Sequence, residues 1–239
     1  MTGMDTTPYK DFAQKKLGLE FENIQTLVTA FTHRSYVNEH RKSTSEHNER
    51  LEFLGDAVLE LSVTDYLYNN FKEPEGVLTS WRAALVRTES IGESGEKLGY
   101  ESLLRLSKGE KQGSDRARKQ IMANAFEALI GAIYIEKGYD AANDFILKHI
   151  ASKLDAILAS GSWRDAKSVL QEVAQRVDNH TPVYKVITEE GPDHDKIFTL
   201  GVYVGGKLKG EGIGSSKQSA QQKAAEAAVE EYNKLGAKD

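Results

Sequence analysis

The feature that most limits the fold is a change of hydrophobic period near residue 160. Between Tyr9 and Ala159, apolar residues recur at helical intervals. The small residues over 159–162 then interrupt the pattern, as at a flexible domain boundary. The sequence therefore predicts an all-helical domain over residues 1–160 and a second domain over 161–239. The long helices predicted in the first domain are Asn48–Phe71, Thr79–Leu98, Asp115–Lys137 and Ala141–Leu158.

The second domain has the predicted order α-β-β-β-α. Asp165–Val177 is predicted as a helix with Asp165 as its N-cap. Gly205 and Gly206 suit a hairpin turn, and Ser216–Leu235 is an alanine-rich helix with small residues along one stripe. The strands are predicted at Val183–Ile187, Phe198–Val204 and Lys207–Ile213. The fold class is thus α plus α+β.

Composition excludes several chemistries. The 239 residues contain no cysteine, so disulfides, thiolate zinc sites and cysteine nucleophiles are excluded and a reducing cytoplasm is predicted. The polar first residues and the lack of a long uncharged apolar run predict neither secretion nor a membrane partner. The net charge of −5 argues, taken alone, against a nucleic-acid partner.

Acidic residues recur along one predicted helix. Glu49, Glu52 and Asp56 are spaced i, i+3 and i+7, which places them on one stripe at about 100° per residue. Arg50 is the one basic residue among them. Apolar neighbours that flank this stripe predict partly buried carboxylates, which require a cation; these neighbours are Phe53, Ala57 and Leu59. The alternative is an ordinary solvated face opposite the apolar stripe formed by Leu51, Leu54, Val58 and Leu61.

A second apolar helix carries Asn124 and Glu127 at i and i+3. Two such helices facing each other would hold a hard divalent cation through oxygen atoms. Carboxylate and amide ligands without cysteine favour magnesium or manganese over zinc, and the lack of a Glu-x-x-His pair excludes the di-iron bundle motif. Metal-assisted chemistry on phosphate esters is the function that such a site predicts.

These segments resemble the ribonuclease III family. His47–Leu59 resembles its signature, Phe126–Gly131 its second motif, and Thr32–Tyr36 its upstream segment. The resemblance implies that Glu52, Asp56, Asn124 and Glu127 are metal ligands. It also implies that Asp56 and Glu127 are catalytic, together with Glu49 near the scissile strand and the dimer seam. Many members carry Asp where this chain has Asn124, so we expect a higher magnesium requirement.

The second domain resembles the double-stranded RNA-binding domain, which reads the shape of the duplex. This resemblance implies that Lys217 and Lys223 contact phosphates at the start of the last helix. It also implies that Gln171, Glu172 and His194 touch minor grooves. Gln218 stands where the family usually has a second basic residue, so this domain is expected to bind modestly. Four lysines against Glu211 alone give a local charge of +3 between residues 205 and 224.

The function that these resemblances imply is a magnesium-dependent endoribonuclease, with manganese as an alternative ion and no organic cofactor. It would act as a homodimer on duplex RNA in a bacterial cytoplasm and leave 5′-phosphate and 3′-hydroxyl ends. Ribosomal RNA precursors and structured mRNA and tRNA precursors are the implied substrates. Two alternatives remain open here: a non-catalytic duplex-RNA binder or RNA chaperone, and a helical protein with structural acids and an attached nucleic-acid module. The histidines, His33 and His47 among them, are expected to be structural or exposed.

Overall fold

The computed structural model describes residues 4–40, 46–192 and 196–236. The chain forms two compact units, Met1–Trp163 and Arg164–Asp239. The boundary predicted at residue 160 falls at the end of the last helix of the first unit. In the part of the chain that the structure describes, no helix has the length and apolar character needed to cross a membrane.

The first unit is built of helices. Its α-helices are α1 (Thr7–Phe12), α2 (Ile24–Ala30), α3 (Arg34–Glu39), α4 (Glu49–Asn70), α5 (Glu75–Val86), α6 (Thr88–Leu98), α7 (Asp115–His149) and α8 (Leu154–Ser160). A π-helical turn follows α1, and three 3₁₀ turns lie in the connections before and after α7. These turns are Ala13–Leu17, Glu101–Leu103, Glu110–Gln112 and Ala151–Lys153.

Two of the long predicted helices are divided. The single helix predicted over Thr79–Leu98 is wrong, because Arg87 has extended backbone angles (φ −65°, ψ 149°) and separates α5 from α6. The helix predicted over Ala141–Leu158 is also wrong, since α7 ends at His149 and α8 begins only after a 3₁₀ turn. Neither break carries a glycine or proline that would signal it. Gly138, by contrast, interrupts α7 with φ 80° where the sequence predicted an end after Lys137.

The first unit is organised around the crossing of α4 and α7. A Cβ on Gly55 would overlap the backbone carbonyl of Glu127, and a Cβ on Gly131 would overlap the carbonyl of Leu51. The two helices therefore meet backbone to backbone, at a separation that glycine alone permits. Fully buried side chains surround this crossing and form the core of the unit, among them Leu59, Val63, Phe126, Leu129 and Ile130.

The second unit confirms the predicted α-β-β-β-α order. It consists of α9 (Ala166–Asp178), β1 (Val183–Glu190), β2 (Ile197–Val204), β3 (Lys207–Gly214) and α10 (Lys217–Gly236). The three strands form one antiparallel sheet in the order β1-β2-β3. A row of glycines on β3 lies against the backbone of α10, which presents a row of buried alanines at the contact. The residues concerned are Gly210, Gly212, Gly214, Ala220, Ala224 and Ala228.

Candidate functional site

The first turn of α4 is held in place by Asn48. Its side chain is almost completely buried, at 3% exposed, and donates a hydrogen bond to the carbonyl of Ala30 at 3.2 Å. Its backbone N–H donates to the carbonyl of Thr32 at 2.9 Å. Because these bonds tie the start of α4 to the α2–α3 connection, the acidic stripe that begins at Glu49 has a defined position on the unit.

The α4–α7 crossing brings together acids that are far apart in sequence. Asp56 follows Gly55 directly, and Gly55 lies against the backbone of Glu127. Burial raises the pKa of Glu127 to about 8, with further raising effects from the charges of Asp56 and Glu52. Three of the predicted ligands therefore share one electrostatic environment in which negative charge accumulates.

Glu52 and Asn124 also lie next to each other. Burial raises the pKa of Glu52, the charges of Glu49 and Asp56 raise it further, and a side-chain hydrogen bond from Asn124 lowers it. Asn124 in turn accepts a hydrogen bond at its Oδ1 from Nε2 of Gln120, at 2.7 Å. The amide predicted as a fourth ligand is thus part of the cluster, with Gln120 as a neighbour that sequence reasoning did not identify.

The oxygen donors at the crossing are of the type that Mg²⁺ prefers. Across the described ranges, no group of three or more acidic or imidazole side chains has the arrangement of a metal site. Mg²⁺ usually keeps several of its waters and is held by one or two carboxylates. The raised pKa values of Glu52 and Glu127 indicate carboxylates that lack a neutralising charge. Glu52, Asp56 and Glu127 are the side chains that could hold such an ion.

Glu49 is in a different electrostatic situation from the other acids. Its carboxylate forms an ion pair with Arg34 at 3.1 Å, and Nδ1 of His47 lies at 3.8 Å. The expectation that Arg50 alone would be near the acids is wrong, because α3 brings Arg34 to the start of α4. The segment Thr32–Tyr36 contains Arg34, and this was the one sequence signal that could have identified it.

His33 has the structural role that was expected. Its ring accepts a hydrogen bond from the backbone N–H of Ser35 and so caps the N-terminus of α3. Its Nδ1 also lies 2.8 Å from the Ser35 hydroxyl. Burial lowers the pKa of His33, which favours a neutral imidazole in this position.

A groove of about 1040 Å³ lies beside Glu49 and is lined by polar and charged residues as well as apolar ones. Phe53, on its rim, is 81% exposed, and Ile135 is 56% exposed. Phe53 was expected to help bury the carboxylates, and this expectation is wrong because its ring points to solvent. Leu61, expected on the apolar stripe, is also 58% exposed. Apolar residues that line the groove include Val28, Leu51, Leu54 and Ile135.

In the second unit, α10 begins with a polar cap and Lys217. The Ser216 hydroxyl accepts from the backbone N–H of Ser219 at 3.1 Å. Lys217 forms an ion pair with Glu189 at 2.7 Å and lies 5.5 Å from the ring centre of Phe198. The lysine predicted to contact phosphate is therefore already paired with an acid from the end of β1.

The local charge of +3 counted along the sequence between residues 205 and 224 is partly neutralised in the folded protein. Lys209 pairs with Glu231 at 3.2 Å, and Lys217 pairs with Glu189, so two acids from outside the counted segment join it in space. Lys223 is exposed on α10. Gln171 and Glu172 are exposed on α9, while His194 lies outside the described residues.

Comparisons with known proteins agree on both units. The family described as Ribonuclease-III-like matches residues 23–154, and the Double-stranded RNA binding motif matches residues 166–232. A Ribonuclease 3 from Oceanobacillus iheyensis is 45% identical over 231 residues, which cover 96% of this chain and 99% of the relative. A Ribonuclease 3 from Listeria monocytogenes is 42% identical over 226 residues, covering 93% and 96%.

The first unit also has a similar solved structure. The nuclease domain of ribonuclease III from Campylobacter jejuni, described with a flexible region involved in dimer formation, is 36% identical with a TM-score of 0.54. The match covers 59% of this chain and 96% of that domain.

Proposed function

This chain belongs to the ribonuclease III family of endoribonucleases that act on double-stranded RNA, and from that premise we propose a magnesium-dependent enzyme whose acids at the α4–α7 crossing carry the reaction. The observation that supports this proposal most is the pKa of Glu127, raised to about 8 by burial and by Asp56 and Glu52. Shifts of this size, from burial combined with specific charged partners, are concentrated at functional sites.

Glu52, Asp56 and Glu127 would hold Mg²⁺, which when bound would neutralise phosphate charge and activate water. Glu127 must give up the proton that its raised pKa retains, so cation binding and deprotonation are coupled at its carboxyl group. Asp56 and Glu127, on opposite helices of a rigid crossing, fix where the phosphodiester can bind. A water oxygen adds to phosphorus as the 3′ oxygen departs with a proton, which leaves 5′-phosphate and 3′-hydroxyl ends.

The proposed enzyme is a homodimer. Phe53 and Ile135 are large apolar residues that are exposed along one groove, and exposed apolar patches mark protein interfaces. A second copy related by a twofold axis would place the Phe53 of each subunit in the groove of the other. Each subunit would then contribute one site, and Glu49 would lie between that site and the seam.

The second unit is proposed to hold the duplex. Lys217 and Lys223 would contact phosphates near the N-terminus of α10, where backbone N–H groups and the helix dipole favour anions. Gln171 and Glu172 on α9 would contact a minor groove, and His194 is proposed as a second minor-groove contact. Glu189 must release Lys217 when RNA binds, which is consistent with modest affinity from this domain.

The proposed substrates are ribosomal RNA precursors and structured mRNA and tRNA precursors in a bacterial cytoplasm. A substrate panel tests the function: long duplex RNA, single-stranded RNA, duplex DNA and an RNA–DNA hybrid, each with magnesium, manganese or a chelator. We expect cleavage of duplex RNA alone, only with a divalent ion, and products that accept a 3′ ligation without prior phosphatase treatment. Cleavage in the chelator, or equal cleavage of single strands, would contradict the proposal.

A further inference from the structure

Gln120 and Asn124 are one helical turn apart on α7, and Asn124 lies beside Glu52. Nε2 of Gln120 donates a hydrogen bond to Oδ1 of Asn124 at 2.7 Å. This carbonyl oxygen is the atom with which an asparagine side chain ligates a hard cation. With Oδ1 turned towards Gln120, the amide nitrogen of Asn124 is the end that faces Glu52, and a side-chain interaction with Asn124 lowers the pKa of that carboxyl group.

We propose that Gln120 is a positioning residue that holds the N–H groups of Asn124 towards Glu52, so that Asn124 serves the site as a hydrogen-bond donor and not as a metal ligand. The inference rests on the metal-dependent function proposed above. It assigns Asn124 a role opposite to that of a carboxylate at the same position, which could only accept hydrogen bonds and attract the cation.

The arrangement has a direct consequence for metal binding. In the metal-free enzyme, the donated N–H group offsets part of the repulsion among Glu49, Glu52 and Asp56. For Asn124 to ligate, its amide must turn over, which breaks the hydrogen bond from Gln120 and the one to Glu52. Gln120 therefore opposes ligation by Asn124, and its removal should strengthen the binding of Mg²⁺.

The test measures Mg²⁺ affinity of the full-length protein without RNA, by isothermal titration calorimetry and by competition against the electron paramagnetic resonance signal of Mn²⁺. Gln120→Met keeps the length of the side chain and removes its donor. We expect this variant to bind Mg²⁺ about fivefold more tightly, the equivalent of one net hydrogen bond. Gln112→Met makes the same change at an exposed position of a 3₁₀ turn, and its affinity should equal that of the parent.

Asn124→Asp provides the upper reference, because it adds a charge and a second acceptor oxygen; we expect it to bind Mg²⁺ more tightly than Gln120→Met. A purely structural role for Gln120 would lower the melting temperature and leave the affinity unchanged. Unchanged or weaker affinity in Gln120→Met, with normal affinity in the parent, overturns this inference alone. Failure of the parent to bind either ion overturns the metal-dependent function as well.

Discussion

Glu127 shows how one residue couples the stability of the protein to its site. Its pKa is raised from 4.5 to about 8, so the native state keeps a proton that the unfolded chain releases. At Glu127 the unfolded state then binds fewer protons between about pH 5 and pH 8, so the contribution of this residue to the free energy of unfolding falls as pH rises through this window.

We therefore predict that, in a chelator, the melting temperature of the protein decreases from about pH 5 to pH 8. In Glu127→Gln this slope should be markedly smaller, because the amide does not titrate. Thermal denaturation followed by circular dichroism over this pH range provides the measurement. A parent and a variant with the same pH slope would show that the Glu127 pKa is not raised in solution.

At the level of single residues, the sequence predicted the acids of the site but not the side chains that interact with the site. The i, i+3, i+7 spacing identified Glu49, Glu52 and Asp56 because a helix places such residues on one stripe. Arg34 pairs with Glu49 only because α3 folds back onto the start of α4, and no local spacing contains that contact. Gln120 is one turn from Asn124, but its relevance depends on which way the amide faces.

Among the elements, the α4–α7 crossing positions the site most directly. Gly55→Ala would drive a methyl group into the carbonyl of Glu127, and we predict a loss of about 3 kcal/mol in the free energy of unfolding, as for overpacked cores. Gly76 is also helical but has open space around it, so Gly76→Ala should be neutral or stabilise the protein by roughly 0.5–1 kcal/mol. Urea denaturation distinguishes them, and equal stabilities would refute the close crossing.

The start of α10 is the element on which RNA affinity is predicted to depend. Lys217→Ala should weaken duplex binding and reduce the slope of log affinity against log salt by about 1. Lys234→Ala, in the last turn of the same helix, should leave the slope unchanged. Glu189→Gln should raise the affinity about twofold, since it removes an exposed ion pair that competes with phosphate. Fluorescence anisotropy over a salt series measures all three, and an unchanged slope in Lys217→Ala would exclude the phosphate contact.

Helices and strands were predictable where the spacing of apolar residues along the sequence agrees with the face that is buried in the fold. The alternation on β2 and the alanine stripe of α10 correspond to buried faces of the second unit, and Asp165 caps α9 as predicted. The division between α5 and α6 was not predictable. Arg87 takes an extended conformation that lets both helices pack, but no glycine or proline at this point requires a break in the helix. Tertiary packing decided that boundary.

For the whole molecule, the net charge of −5 is compatible with an RNA substrate, because several of the acids are proposed to bind a cation or are paired with lysines. Glu52, Asp56 and Glu127 form the proposed cation site, and Glu189 and Glu231 neutralise lysines of the second unit. Neither the net charge of the whole chain nor the charge of the segment 205–224 reveals this distribution. Charge along a sequence predicts a binding surface only after folding has determined which opposite charges are neighbours.

The proposed homodimer gives a prediction for the whole molecule. Phe53→Glu should yield a folded monomer with strongly reduced duplex cleavage, since an 81% exposed ring costs the monomer little when replaced. Ile213→Glu changes an exposed apolar residue of the second unit and should remain dimeric. Light scattering after size-exclusion chromatography measures the mass. A dimeric Phe53→Glu variant would place the interface elsewhere.

The acids at the α4–α7 crossing are proposed to perform metal-dependent cleavage of duplex RNA. The most direct measurement is single-turnover cleavage of one uniform RNA duplex over a magnesium titration, with binding of the same duplex recorded in parallel. Glu127→Gln should bind the duplex like the parent and cleave it at least about a thousandfold more slowly at every magnesium concentration. Asp144→Asn, an exposed acid on the same helix, should cleave normally. Cleavage by Glu127→Gln at the rate of the parent would show that these acids do not carry the reaction.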